Sequence, residues 1–277
     1  MKVIDTVQFF KEHYKPELSF LETYHNQYPE IFKEYFTYHC PKTDERLSKA
    51  LDQYSLSHIE KVRENIHPII DEVNRRYAEL YGVTFPIGVN LIVGCFGSNA
   101  YTHRAYVPDV TFALERLSSN PAHLRVIVAH EFGHAAHHII TDEVGIDWEQ
   151  MNWSSPLIWL TQEGVATHMS KQIVQDLHPS VYFSYNEEGH EWLAFAEENQ
   201  NHIKQAFRED YERLETKDLF KEWFSIRGGE HFGYNRLAYY LADLFFQEQV
   251  QTQGEMDAVL AWREPDYFKR VEQWLYS

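Results

Sequence analysis

The spacing of apolar and polar positions divides the chain into stretches of different character. In residues 1 to about 80, apolar side chains recur every three or four positions between charges, as in IFKEYFTYH and in SLSHIEKVRENIHPIIDEVNRRYAELY from Ser55 to Tyr81. This period predicts amphipathic helices. Ser57, with Glu60 three residues later, has the form of a capping box at the start of the longer one. From Gly82 the period changes. GVTFPIGVNLIVGCFG and AYTHRAYVPDVTFALE are rich in β-branched residues and broken by Gly and Pro, which predicts two or more strands between Val83 and Glu115. Asn120 followed by Pro121 then marks a helix start, a side-chain cap and a first residue with no N–H to leave unbonded. That helix is expected to run to about Ile140. Ser155 and Pro156 open another in the same way.

The helix from Pro121 is apolar over most of its length, yet VIVAHEFGHAAHH, Val126 to His138, carries His130, Glu131 and His134. Two histidines four residues apart project from one helix face, one turn apart, and can share a divalent ion. Buried among apolar neighbours, three ionisable groups are costly without a partner, and a metal serves all three. Glu131, beside the first histidine, is placed to reach the attacking water rather than the ion, which suits a general base. His137 and His138 do not extend the ligand set: at a rise of about 1.5 Å per residue, position 138 is roughly 12 Å from position 130. They are expected at the helix end, near the exposed carbonyls. Position 140 is Ile, so the third histidine of the metzincin pattern is missing and that pattern is excluded. The third ligand is instead expected at Glu163, 29 residues past His134 on the helix from Pro156, between Leu160 and Val165 and followed by Gly164.

Composition narrows the partners. The 277 residues include 18 Tyr, 18 Phe and 7 Trp and are 44% hydrophobic, which argues against disorder and for a sizeable core. A formal net charge of −17 repels phosphate backbones, so neither nucleic acid nor anionic membrane is expected as a partner. Two cysteines, Cys40 and Cys95, make no disulfide framework and no Cys-x-x-Cys pair. With no apolar run near the ~20 residues of a membrane span and no signal-like N-terminus, a cytoplasmic location is expected.

The His-Glu-x-x-His motif followed by Glu163 on a second helix resembles the gluzincin clan of zinc metallopeptidases. Within that clan, IVAHEFGH, WLTQEGVA and AYYLADLFF look like the small predicted bacterial zinc proteases of bacilli, a likeness spanning roughly residues 85 to 250. The resemblance implies an α+β fold, mostly helical, with a thermolysin-like zincin core and a small mixed sheet packed on the metal helix. It implies one catalytic domain over residues 1–277: a helical lobe to about 81, sheet and metal helix over 82–140, and a second helical lobe over 141–277. It further implies one zinc ion on His130, His134 and Glu163, Glu131 as base, and hydrolysis of a peptide or protein substrate. RGGEHFGYNRLAYYLADLFF, Arg227 to Phe246, offers three donors for the oxyanion: His231, Tyr234 and Tyr239. Its beginning, Gly228 to His231, looks like the thermolysin segment that carries a catalytic histidine and opens a helix there; a tyrosine donor, as in aminopeptidase-type gluzincins, points to Tyr234 or Tyr239. Where thermolysin-type enzymes place an Asp that orients the first histidine, this chain has Thr167.

Two other functions compete. A non-catalytic metal-binding or chaperone-like module would keep the clamp, but a structural site closes with four protein ligands and has no use for Glu131. A metal amidohydrolase of the deformylase kind takes a Cys ligand from a Gly- and Leu-flanked motif, and Cys95, in VGCFG, has the wrong context. An aminopeptidase would need an acid for the free amine, for which Asp109, Glu115 and Glu230 are available. His190 and Glu191, in NEEGHEW, form the remaining polar cluster and a candidate specificity pocket.

Overall fold

The chain begins with a strand where the apolar spacing predicts helix. In a computed structural model that describes residues 1–277, β1 (Lys2–Asp5) pairs in parallel with β2 (Gly88–Ile92), Lys2 opposite Gly88 and Asp5 opposite Leu91. Four residues are too few to display a period, and the partner lies more than eighty residues away. Between them run α1 (Val7–His13), α2 (Leu18–Gln27), α3 (Pro29–Glu34), α4 (Asp44–Gln53) and α5 (Leu56–Tyr81). The predicted helical stretch is therefore the crossover of a parallel strand pair. Ser55, not Ser57, caps α5: its Oγ accepts the His58 N–H at 3.4 Å, while Ser57 already lies inside the first turn. Gly82 ends α5 in the left-handed conformation, φ 69°, which only glycine adopts at little cost.

β3 (Ala100–Thr102) and β4 (Val110–Ala113) complete a four-stranded sheet in the order β1-β2-β4-β3. β4 runs parallel to β2 and β3 antiparallel to β4, so the sheet is mixed and β3 forms one edge. Both expected strand regions are realised, and the fold is α+β and mostly helical. The helix from Pro121, α6 (Pro121–Glu143), follows. It runs three residues beyond the expected end at Ile140.

The chain forms two compact units, Met1–Ala135 and Ala136–Ser277, and the boundary falls inside α6. The second unit contains α7 (Pro156–Ile173), α8 (Val181–Ser184), α9 (His190–Glu198), α10 (Gln200–Arg213), α11 (Thr216–Trp223), α12 (Leu237–Gln253), α13 (Glu255–Leu260) and α14 (Tyr267–Tyr276). Its core joins Leu160 of α7, Phe207 of α10, Trp223 of α11, Leu241 and Phe245 of α12, Trp262 and Tyr267. The segment from Gly228 does not open a helix as expected. Residues 225–236 are turns, and α12 starts only at Leu237. No helix is long and apolar enough to cross a membrane.

Asp5 ties the end of β1 to α5. Its carboxylate accepts from Arg63 Nε at 2.6 Å, His67 Nε2 at 2.9 Å and the Val7 N–H at 2.9 Å. Burial acts to raise its pKa, but these hydrogen bonds outweigh burial and hold it below the ordinary carboxylate value. The stability this cluster contributes is therefore present above the unfolded-state pKa near ~3.9 and lost as pH falls through the lower folded-state value. Asp5→Asn is expected to cost about 1.5–3 kcal/mol at neutral pH and to flatten the acid limb of the stability curve. Urea midpoints of both proteins across the acid range check this; parallel curves would contradict it.

Candidate metal centre

The first two candidate ligands, His130 and His134, owe their positions to the burial of α6. Asn120 Oδ1 accepts the Ala122 N–H at 2.9 Å and caps the helix as expected. Along it Leu124, Val126, Val128, Phe132, Ala135 and Ala136 are fully buried. The Tyr77 hydroxyl donates to the Ala129 carbonyl at 2.6 Å, one residue before the motif. In these surroundings His130 is 2% exposed and Glu131 8%. The rings of His130 and His134 stand perpendicular with centroids 4.8 Å apart.

Glu163 comes from α7, which Ser155 caps by accepting the Leu157 N–H at 3.3 Å. Its place on α7 depends on the next residue. A Cβ on Gly164 would lie 2.5 Å from the Ala242 carbonyl oxygen and 3.0 Å from Phe246 Cβ, both on α12. Only glycine lets α7 and α12 approach this closely. One ligand atom from each of His130, His134 and Glu163 lies within 4.8 Å of the others, and the three could hold a metal ion. Donors about 2.0–2.1 Å from a tetrahedral zinc are separated by about 3.3 Å, inside the 4.8 Å that bounds these three. The donor set, two imidazoles and a carboxylate, is one that catalytic zinc sites use.

The sheet reaches this helix through Thr102, the last residue of β3, whose hydroxyl donates to Glu131 Oε2 at 2.9 Å. This partner has no signature in the sequence beyond its place in a predicted strand. His137 and His138 are not at an exposed helix end. His137 is fully buried, with Nε2 on the Val259 carbonyl at 3.0 Å and its ring stacked on Trp262 at 3.9 Å. His138 receives the Gln162 amide at 3.1 Å and stacks on Trp148. Both became core because α6 continues to Glu143. Thr167, one turn after Glu163, is fully buried and its hydroxyl makes no hydrogen bond to a histidine.

The three candidate donors have different surroundings. His231 Nε2 lies 2.9 Å from Asp210 Oδ2, and Asp210, 1% exposed, also accepts from Arg213 at 2.7 Å and Trp223 Nε1 at 3.0 Å. The pocket His231 lines, with Asp218, Lys221, Glu222 and Glu230, contains none of the three ligand residues. Tyr234 is half-buried and stacks on Phe195 with centroids 4.6 Å apart. Tyr239 lies beneath the Arg236 guanidinium, 4.0 Å from its ring centroid. Burial acts to lower the Arg236 pKa, but the fields of Tyr239, Tyr185 and Glu163 prevail and raise it, so the group stays a cation. Arg236 and Tyr185 were not among the expected site residues; Arg236 stands inside the quoted segment without a motif to mark it.

The acids available for an amine terminus are engaged elsewhere. Glu115 accepts the Gly94 and Phe96 N–H groups at 2.8 and 3.0 Å, Asp109 accepts the Gly88 N–H at 2.6 Å, and Glu230 pairs with Lys221 at 3.1 Å. His190 lies against His178, ring centroids 4.0 Å apart. No protein-family model matches the chain, and no curated protein or solved structure matches it either. Gly164→Ala is expected to force α7 from α12, lowering stability by about 1–3 kcal/mol and weakening metal binding at least about tenfold. Thermal melts and competition with a chromophoric chelator measure the two effects; unchanged metal affinity would mean that Glu163 does not depend on this packing.

Proposed function

We propose that the chain is a zinc-dependent peptidase with a gluzincin-type, thermolysin-like core. The observation that carries the reading is the convergence of His130, His134 and Glu163 within 4.8 Å beside a Glu131 carboxylate that Thr102 already orients. Three protein ligands leave a coordination position open, as catalytic zinc sites require and structural sites do not. When bound, zinc supplies a Lewis acid and makes water acidic enough to ionise near neutral pH.

The chain's own residues do the rest. Glu131 takes the proton of the attacking water and delivers it to the leaving amine. Thr102 fixes which Glu131 oxygen faces the reaction, because a carboxylate oxygen already accepting a hydroxyl proton is the poorer base. β3, an edge strand of the sheet that ends at Thr102, suits an extended peptide added as a further strand, so the partner is a peptide or protein. Among the oxyanion donors Tyr239 ranks first, since Arg236 links it to the field of Glu163, whereas Asp210 holds His231 and Phe195 covers Tyr234. A charge of −17 disfavours nucleic acid and anionic membrane, in keeping with work on peptides in the cytoplasm.

Metal analysis and a quenched-fluorescence peptide library, with and without chelator, test the proposal. The expected results are about one zinc per chain, cleavage that a chelator abolishes, and recovery on adding zinc. Glu131→Gln should keep its zinc while turnover falls by roughly 10²–10⁴. A zinc-loaded Glu131→Gln that cleaves normally would remove Glu131 as the base. Zinc binding without cleavage of any peptide would favour a non-catalytic module.

A further inference from the structure

Two of the four non-glycine residues with left-handed backbone meet at one point in the second unit. Tyr185 has φ 58° and Arg236 φ 60°, and the Arg236 guanidinium lies 5.3 Å from the Tyr185 ring and 4.0 Å from that of Tyr239. Left-handed backbone is disfavoured for side chains of this size, and such conformations gather at sites where geometry serves a ligand. Here both displaced residues serve one cation. The Tyr185 hydroxyl and the Glu163 carboxylate both act to keep it charged. The planar fork has five N–H donors and is half-buried, held between the two aromatic rings.

A guanidinium fork matches a carboxylate, with two parallel charge-assisted hydrogen bonds. The three acids considered for the opposite terminus of a peptide, Asp109, Glu115 and Glu230, are committed to backbone N–H groups or to Lys221. A chain of net charge −17 offers an anion few places to settle, and a cation beside the metal ligands is one of them. We propose that Arg236 anchors the C-terminal carboxylate of the substrate, so that the preferred substrates are oligopeptides with a free C-terminus, cut near that end. This rests on the peptidase reading. Tyr185 and Tyr239 serve as the walls that aim the fork.

The test uses the zinc-loaded, full-length protein and pairs of peptides identical except for a C-terminal acid or amide. The acid is expected to be cleaved with a kcat/KM roughly tenfold or more above the amide, mainly through KM, as the loss of a charge-assisted pair implies. In Arg236→Gln the acid-to-amide ratio should fall to near one, with Arg236→Lys between the two. Equal cleavage of acid and amide by the wild-type protein, a comparison that needs no variant, overturns the anchor and leaves the peptidase standing. An Arg236→Gln protein that keeps the preference overturns it as well. Cleavage of neither peptide overturns the peptidase reading and this inference with it.

Discussion

Burying ionisable side chains inside an apolar helix is the constraint on which the rest of the site depends. α6 is apolar almost all round, so it folds only where neighbours cover every face, yet it takes His130 and Glu131 into that interior. Each would be costly there alone. The chain answers with a specific partner for Glu131, Thr102, and sets His130 in a group with His134 and Glu163 that could hold a metal ion. The same demand extends down the helix to His137 and His138, which Val259, Gln162 and the Trp rings satisfy without any ion. Of the five histidines on α6, His130 and His134 belong to the group that could hold a metal ion, and His137 and His138 are core.

Close packing supplies the precision that burial alone does not. Gly164 allows α12 to press against α7 beside Glu163, so the third donor stands on a helix with little freedom to shift. Arg236 directly precedes α12, and its unusual backbone carries the guanidinium over Tyr239. One helix therefore packs beside Glu163, the third candidate ligand, and organises a cation and two phenols at its start. In the proposed peptidase these are the electrostatic groups that face charge on the substrate.

Much of the fold and the site was legible in the sequence where the signal is local. Asn120-Pro121 and Ser155-Pro156 are starts written in adjacent residues, and both helices begin there. The His130–His134 spacing is a property of a single helix, and the strands between Val83 and Glu115 show in their β-branched residues. Local signals also mislead at short range. Ser57 has the better capping sequence, but Ser55 stands where the chain turns into α5, and the glycines at 228 and 229 mark turns rather than a helix start.

By itself the sequence determined the motif, its helix, the acid on a second helix and the alternation of strand and helix, because each depends on residues a few positions apart. Tertiary structure alone decided the parallel pairing of β1 with β2, the hydrogen bond from Thr102 to Glu131, the burial of His137 and His138, the pairing of His231 with Asp210 and the joining of Tyr185, Arg236 and Tyr239. Each of these relates residues distant in the chain, or depends on which atoms lie opposite once the interior is filled. No period in the sequence records that complementarity, since it is set by side-chain volume and backbone approach, as at Gly164 against Ala242.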